Sequence, residues 1–298
     1  MASGNFPEDL VREILLMLPV KSLLRYESVC MSWYTLITKP SFISAHFNYN
    51  AALKKSHCIL VKRSLPEHVP PTESVLSFLS DEISGDDHVP PTEIIIPHYN
   101  HFLQMVGPCN GIVCLTDHLV IILCNPSIRD FKVLPAPSFN YPQGLFSRTL
   151  GVGFGFDPHS CEYKVIRIAE LYEDDENWGY GFHSVNVEIY DLSTDSWREI
   201  DTIVPYVWYL PCSELLFNGA FHWWAKDEDH GGESILSFHI STEVFQQIRL
   251  PDICAAPDGN ERAFLILNES IALVLFDPSE QTCFDIWLMT EYCIAKSW

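Results

Sequence analysis

Cysteine and histidine side chains at suitable spacing can bind a metal ion, and one region of this chain contains a group of them. Its members are Cys109, Cys114, His118 and Cys124. Structural zinc sites usually pair their ligands as Cys-x-x-Cys, and the spacings of this group do not match that arrangement. Its residues instead predict a β-hairpin with strands at 112–115 and 119–124 and a turn at Thr116-Asp117. His98 and His101 form a second pair, without a third ligand. We therefore predict no metal site and no cofactor.

Motifs of enzymes are also missing. The sequence contains neither Gly-x-Ser-x-Gly, which would supply a nucleophile, nor Gly-x-x-x-x-Gly-Lys, which would bind phosphate. The glycines of Gly151-Val-Gly-Phe-Gly155 precede no predicted helix, as a phosphate-binding loop would. We expect them instead in a strand that another backbone approaches closely. Trp223 and Trp224 could form a sugar-binding shelf or pack in a core. We predict a non-catalytic protein, with a propeller enzyme or lectin as the alternative.

The composition is typical of a globular protein. The chain has 298 residues, of which 47% are hydrophobic, enough to form a sizeable core. Its uninterrupted apolar runs are too short for a membrane span. Glu8 and Asp9 stand where a secretory signal would carry basic residues. The ten cysteines are scattered among apolar neighbours, as is typical of reduced thiols. We therefore expect a cytoplasmic protein, with the nucleus as a second compartment.

The negative charge is distributed unevenly along the chain. The net charge is −21, yet residues 1–47 carry four basic and four acidic side chains, so residues 48–298 carry 14 basic and 35 acidic ones. Such a surface repels phosphate backbones and anionic lipids, and it speeds encounters with basic proteins. We expect a basic protein partner, and neither nucleic acid nor a membrane. The alternative is that the charge serves solubility alone.

Residues 1–47 predict three short helices. Pro7 suits a first helical position, and apolar residues then recur at helical spacing up to Pro19. Further helices are predicted over about 20–26 and 28–37, the last one ending before Pro40. A unit of this size has too little interior to bury all its apolar side chains. Its remaining apolar face therefore requires a partner.

From about residue 57 the pattern changes to short strands. A motif of strand, Asx- or Ser-containing turn and strand recurs at 125–133, 156–165, 190–197, 238–245 and 276–284. Most of these spacings are near the roughly 40–50 residues of a propeller blade. We predict an α+β, multi-domain protein in which a small helical unit precedes a mostly β, degenerate propeller-like domain. A β-sandwich is the alternative for the second part.

The helical region resembles an F-box. The likeness is carried by Phe6 to Leu10, Glu13 to Leu16, Leu18 to Leu24, Ser28 to Cys30, Trp33 and Pro40 to Phe42. In that family the helices pack on a Skp-type adaptor, which links to a cullin and a RING subunit. The resemblance therefore implies an adaptor-binding face. The residues assigned to that face are Pro7, Leu10, Ile14, Leu15, Pro19, Leu23, Val29, Cys30 and Trp33.

The β region resembles the kelch-like F-box-associated domain of plants, and most closely that of pollen S-locus F-box proteins. The likeness is carried by Gly107 to Gly111, Asn125 to Arg129, Val133 to Pro135, Gly151 to Asp157, Tyr163 to Val165, Asp191 to Glu199, His222-Trp223 and Ile286 to Tyr292. It implies the substrate-recognition subunit of an SCF-type (Skp-cullin-F-box) ubiquitin ligase, which recruits S-locus ribonucleases in pollen self-incompatibility. A general F-box adaptor with another target is the alternative.

These resemblances divide the chain into three parts. We predict an F-box over 1–47, a connecting region with a Pro-rich acidic loop over 48–106, and the F-box-associated β domain over 107–298. The likeness stops at Trp298 within a motif that members continue, so a propeller that lacks its last strands is one alternative. Acidic loops are the expected target-binding sites, with solvated surface as the alternative. Their residues are Glu173, Asp174, Asp175, Glu176, Asp227, Glu228 and Asp229.

Overall fold

The computed structural model describes most of the chain. The described residues are 7–53, 58–64, 74–80, 92–95, 104–117, 120–137, 144–173, 181–207, 215–227, 232–251, 261–276, 284–294 and 297–298. Contacts divide the chain into two units, one formed by 1–103 with 124–131 and the other by 104–123 with 132–298. The first unit contains the helices and the first sheet, and the second contains most of the other strands.

Four helices form the start of the chain. They are α1 (Glu8–Leu16), α2 (Val20–Tyr26), α3 (Met31–Ile37) and α4 (Pro40–Ala52). The first three lie where the sequence predicted them. The fourth differs from the prediction, in which Pro40 ends the helical region. Pro40 is instead the first residue of α4, where a fixed φ and a missing N–H cost nothing. In the described part of the chain, no helix combines the length and the apolar character that a membrane span requires.

The helices enclose a small apolar core. Its buried members are Leu15, Leu16, Leu23, Leu36, Ile37 and Phe42. One side chain–backbone hydrogen bond joins distant parts of this region, since a ring nitrogen of His46 on α4 lies 2.8 Å from the carbonyl oxygen of Leu18. Each of the four helices contributes at least one buried side chain to this core.

The rest of the described chain is formed by strands. They are β1 (Cys58–Ser64), β2 (Ser74–Ser80), β3 (Thr92–Ile95), β4 (Gln104–Cys109), β5 (Ile112–Thr116), β6 (Ile121–Asn125), β7 (Asp130–Val133), β8 (Leu145–Asp157), β9 (Glu162–Glu173), β10 (Gly181–Asp191), β11 (Ser196–Ile200), β12 (Leu215–Phe217), β13 (Ala220–Asp227), β14 (Gly232–His239), β15 (Val244–Arg249), β16 (Glu261–Leu267), β17 (Ser270–Phe276) and β18 (Phe284–Leu288).

These strands form five sheets in the described residues. The sheets are β1–β3, β4–β7, β8–β11, β12–β15 and β16–β18, and within each one every strand is hydrogen-bonded to the next along the chain. Successive meanders of three or four strands are the pattern of propeller blades, whereas a sandwich would pair strands out of chain order. The predicted order of a helical unit followed by propeller-like sheets is confirmed.

Two kinds of tight turn connect the strands. Three hairpins have two residues with positive φ at the turn, namely Asn110-Gly111, Asn218-Gly219 and Asn268-Glu269. That is the conformation of a type I′ turn, which suits the twist of paired strands. The repeated turns predicted from the sequence end instead in one left-handed residue before the return strand. These residues are Arg129, Cys161, Asp195 and Glu243.

The sheets β8–β11 and β12–β15 pack closely through buried apolar side chains. Members of this core include Leu150, Ile166, Ile168, Val187, Ile189, Phe221, Trp223, Leu236 and Phe238. Gly151, Gly153 and Gly155 allow the approach, because the rings of Phe221 and Trp223 lie over them. A Cβ atom on Gly153 would lie 2.6 Å from Cγ of Phe221. The close approach predicted at these glycines is present, although aromatic rings make it rather than a second backbone.

Two further cores join neighbouring sheets in the same way. One lies between β4–β7 and β8–β11 and includes Val106, Cys114, Phe154, Tyr190 and Trp197. The other lies between β12–β15 and β16–β18 and includes Trp224, Ile235, Ile271, Leu273 and Met289. The sheet β8–β11 therefore buries apolar side chains on both of its faces.

Candidate protein-binding surfaces

Helix α1 has two apolar faces, of which only one is buried. Leu15 is 1% exposed and belongs to the helical core. Leu10 and Ile14 are each 46% exposed, and Met17 is 58% exposed. These three residues follow one another at intervals of four and three, so they lie on the same side of the helix. We call Leu10, Ile14 and Met17 the outer face of α1.

More apolar side chains are exposed on the other helices and their connections. Leu24, Val29, Met31 and Tyr34 are all exposed, and Met31 is the most exposed of them. Large apolar side chains exposed in such number on a small unit are typical of a protein interaction site. The helical region is therefore a candidate protein-binding surface.

The nine residues predicted for the adaptor-binding face differ in exposure. Pro7, Leu10, Ile14, Pro19, Val29 and Cys30 are exposed. Leu15 and Leu23 are buried in the helical core. Trp33 is half-buried against that core, and its ring lies 5.6 Å from the ring of Tyr26. The adaptor-binding role of the nine residues stays a prediction, and the F-box pattern does not by itself distinguish the two faces of α1 and α2.

Sequence reasoning missed several exposed apolar residues of this region. Met17, Leu24, Met31 and Tyr34 were not predicted as contact residues, yet all are exposed. A signal was available for Met17, which lies seven residues after Leu10 and therefore on the same helical face.

Cys30 is an exposed thiol immediately before α3. Its Sγ atom lies 3.1 Å from the Ser32 hydroxyl. The hydrogen bond with Ser32 lowers the pKa of the Cys30 thiol.

The acidic residues predicted to bind a target lie at the ends of two strands. Glu173 is exposed at the end of β9, and Asp227 is the last residue of β13. Asp174, Asp175, Glu176, Glu228 and Asp229 lie outside the described residues.

The two strands end on the same side of the packed sheets. Contacts of Gly151 with Trp223 and of Gly155 with Phe221 show that β8 and β13 run in opposite directions. Strand β9 is antiparallel to β8, so β9 and β13 run in the same direction. Their final residues therefore lie at one end of the sheets, which we call the β9–β13 end.

Residues 201–207, which follow β11, also lie at the β9–β13 end. Strand β11 points toward it, because β11 is antiparallel to β10, which begins beside the end of β9. Val207 then forms a bridge with Ala225 of β13, and the backbone N–H of Lys226 donates to the carbonyl oxygen of Tyr206 at 2.8 Å. Residues 201–207 therefore connect the two sheets at this end.

A paired arginine lies close to the same end. Arg148 Nε lies 2.5 Å from a carboxylate oxygen of Glu170, and its guanidinium lies 5.6 Å from the centre of the Tyr172 ring. Burial alone would lower the pKa of Arg148, but the hydrogen bond and charge of Glu170 raise it. The positive charge of Arg148 is therefore compensated within the domain.

The opposite end of these sheets is joined by an ion network. Lys164 Nζ lies 2.9 Å from a carboxylate oxygen of Asp157 and 3.0 Å from one of Glu243. Arg198 also donates to Glu243. Burial would raise the pKa of Asp157, but hydrogen bonds from Ser241 and Lys164 lower it well below the usual range. These charges are satisfied by one another, so the network links the sheets β8–β11 and β12–β15.

The described cysteines of the candidate metal site are buried or half-buried. Cys114 and Cys124 are buried, Cys109 is half-buried, and burial, followed by the charge of Asp130, raises the pKa of Cys124 to about 12. His118, His98 and His101 lie outside the described residues. No group of three or more His, Cys, Asp or Glu in the described part of the chain could hold a metal ion.

The two indoles do not form a sugar-binding shelf. Trp223 and Trp224 are each 1% exposed and point into different cores on opposite faces of their sheet. Trp223 Nε1 also donates to the carbonyl oxygen of Val152. Because neither ring is accessible, the lectin alternative loses the feature on which it rested.

Comparisons with known proteins agree with both parts of this architecture. Residues 4–44 match the F-box domain, and residues 75–298 match the F-box associated beta propeller domain. The chain belongs to the F-box proteins. Similar relatives include an F-box protein of Arabidopsis thaliana, 27% identical over 99% of this chain and 71% of that protein. Another is the F-box protein CPR1 of the same plant, 26% identical over 99% of this chain and 72% of that protein.

Two other matches are more distant. A putative F-box/kelch-repeat protein of Arabidopsis thaliana is 22% identical over 94% of this chain and 67% of that protein. Among solved structures, a GH43 β-xylosidase/α-arabinofuranosidase from a compost microbial metagenome matches at 11% identity with a TM-score of 0.33, covering 78% of this chain and 92% of that one. The last likeness is too weak to inform the function of this F-box protein.

Proposed function

We propose that this F-box protein is the substrate-recognition subunit of an SCF-type ubiquitin ligase. The observation that carries the proposal is the uncovered outer face of α1 within a matched F-box domain. A Skp-type adaptor would cover Leu10, Ile14 and Met17, and would connect the chain to a cullin and a RING subunit. The chain itself would be non-catalytic and would act in the cytoplasm or nucleus.

Burial of the exposed apolar side chains of the helical region would supply a gross driving force. A large apolar side chain that moves from full exposure to full burial contributes about 1.5–3 kcal/mol, and these side chains contribute less because they are already partly buried. Six of the predicted contact residues and four further apolar ones are exposed. Part of this gain is offset by lost translational and side-chain freedom on association. The surface is nevertheless sufficient for a stable complex.

We further propose that the target is a basic protein, and specifically an S-locus ribonuclease of the style. The support is electrostatic, since residues 48–298 carry 35 acidic and 14 basic side chains. A general F-box adaptor with another basic target is the second candidate. The predicted boundaries at residues 47 and 107 and the target-binding role of the acidic loops remain predictions.

Adaptor binding is tested with the double variant Leu10→Asp, Ile14→Asp. The chain is co-expressed with a plant Skp-type adaptor, and co-purification is measured. Charged side chains on the outer face should abolish co-purification, because burial of an unpaired carboxylate is costly. Leu15 is unsuitable for this test, since its replacement would disrupt the helical core.

A matched control uses exposed apolar residues outside the F-box. Val133→Asp and Val244→Asp alter β-domain side chains that are 49% and 59% exposed, and co-purification should persist. Retention of the adaptor by the α1 double variant would contradict the proposal.

The target is tested separately by passing the purified pair over basic style ribonucleases at low and moderate salt. Capture that does not weaken as salt rises would argue against electrostatic recruitment.

A further inference from the structure

Two large apolar side chains are exposed at the β9–β13 end of the sheets. Phe146 lies near the start of β8 and is 48% exposed, and Ile203 lies in the 201–207 connection and is 100% exposed. Phe146 is held in place by the ring of Tyr172, whose centre lies 6.0 Å away. Among the described residues, no packing contact explains a fully exposed isoleucine at this position.

The two side chains lie at the same end of one sheet. Phe146 pairs across β8 and β9 with Tyr172, next to the final residue of β9. Ile203 follows three residues after the end of β11, which points toward the same end. Four strands of a sheet span roughly 15 Å. One extended segment of a partner could therefore contact both side chains.

The surroundings of this apolar pair are acidic. Glu173 and Asp201 are exposed beside it. Asp227, the last residue of β13, lies at the same end of the sheets. Arg148 does not offset this charge, because it is paired with the buried Glu170.

We propose that the β9–β13 end binds a basic segment of the target protein that carries a large apolar side chain. This inference rests on the proposed function, since it locates the recognition surface for the recruited target. Phe146 and Ile203 would provide the apolar anchor, while Glu173 and Asp201 would attract Lys and Arg side chains. Anchors of this kind dominate affinity, and surrounding charges chiefly set specificity and the association rate.

The apolar part of the proposal is tested with defined peptides. The chain, purified with a Skp-type adaptor, is applied to an array of 12-residue peptides in three sets: Lys/Arg-rich with one Leu or Phe, Lys/Arg-rich without apolar residues, and Asp/Glu-rich. The first set should bind best. Ile203→Ser and Phe146→Ser should each weaken binding by on the order of tenfold.

The matched control for Ile203→Ser is Val244→Ser. Val244 is also exposed, but it follows the turn at 240–243 at the opposite end of the sheets. Its replacement should leave peptide binding unchanged. Ile203 is fully exposed, so its variant should keep the melting temperature of the wild type, which is measured alongside binding.

The electrostatic part is tested by charge reversal. Glu173→Lys should weaken binding of the basic peptides several-fold, while Asp285→Lys, at an exposed position on β18, should not. Binding should also weaken as salt rises, because exposed charges are screened.

Several outcomes would overturn the inference. They are an absence of binding by any peptide of the first set, equal losses for Ile203→Ser and Val244→Ser, or preference for the acidic peptides. Co-purification of the adaptor separates this failure from failure of the proposed function. If the complex with the adaptor forms but does not bind the basic peptides, only the proposed recognition surface is refuted. If the chain does not bind the adaptor, the proposed ligase role is refuted.

Discussion

The helical region and the β sheets use apolar side chains in opposite ways. The four helices bury six side chains in a single small core and leave the outer face of α1 exposed. The sheet β8–β11 instead packs on a neighbouring sheet at each of its faces, through two separate cores. The comparison shows that the helical region leaves one apolar face of α1 uncovered, while the sheet β8–β11 has both of its apolar faces covered by neighbouring sheets.

The two regions also differ in their polar contacts. The sheets β8–β11 and β12–β15 are joined by ion pairs such as Lys164 with Asp157 and Glu243. In the described helices the one ion pair is between Arg12 and Glu13, neighbours on an exposed surface. Exposed pairs of that kind contribute little. Removing a buried side chain from one region should therefore lower the stability of that region and leave the other region unchanged.

The largest effect is expected for Trp223→Ala in the β sheets. The indole fills the space between two sheets, and its loss leaves a cavity and removes the donor to Val152 O. The free energy of unfolding should fall by about 3–5 kcal/mol, measured by urea titration with circular dichroism. The half-buried Trp287→Ala is the control and should cost less. Adaptor co-purification should survive in both variants, and its loss in Trp223→Ala would show that the regions depend on each other.

The next effect separates the two faces of α1. Leu15→Ala should destabilise the helical region by about 2–4 kcal/mol, because Leu15 is buried. Leu10→Ala should change stability by less than about 0.5 kcal/mol and weaken adaptor binding by on the order of tenfold. Helix content on heating measures the first property, and titration with a Skp-type adaptor measures the second. Equal losses of stability in the two variants would refute the assignment of an inner and an outer face.

Helices were predictable from the sequence, but their orientation was not. Spacing located α1, α2 and α3, since apolar residues recur at the helical period. It could not separate Leu10 from Leu15, because both faces of α1 are apolar and only packing decides which one is buried. Pro40 was ambiguous for a similar reason, since proline both ends a helix and begins one.

In the β sheets, local signals were again sufficient for turns and insufficient for contacts between sheets. The repeated Asx/Ser turns predict hairpins from their own residues. The pair of Lys164 with Glu243 joins residues 79 positions apart, so it depends on how two sheets pack. The exposure of Ile203 could not be predicted either, because an isoleucine in a segment rich in Val and Tyr is expected to be buried.

A smaller effect is expected from the pH dependence of His222. Its Nδ1 must donate to the carbonyl oxygen of Leu215, so Nε2 of the neutral ring accepts from the Tyr292 hydroxyl at 2.9 Å. Burial lowers the pKa of His222 from its ordinary 6.5 to about 4. The unfolded chain therefore binds a proton more readily, and the stabilisation present above pH 6.5 is lost as pH falls toward 4.

That loss amounts to about 3 kcal/mol between pH 7 and pH 4. His222→Gln keeps a donor and an acceptor but cannot titrate, so its unfolding free energy should fall less over the same range. Urea titrations of both proteins at several pH values measure the difference. Parallel pH curves would mean that His222 does not remain neutral in the folded protein.

The smallest effect concerns the turn between β16 and β17. Asn268 and Glu269 both have positive φ, at 49° and 58°, whereas the matching turns at 110–111 and 218–219 place glycine second. A left-handed conformation costs a non-glycine residue about 1 kcal/mol, and glycine loses roughly 0.5 kcal/mol more backbone entropy on folding. Glu269→Gly should therefore stabilise the β sheets by about 0.5 kcal/mol in urea titrations. Gly219→Ala is the reverse control and should destabilise them, since Gly219 has φ of 71°. Adaptor affinity should be the same in both variants, because the outer face of α1 is unchanged, and a shift in that affinity would contradict the separation of the two regions.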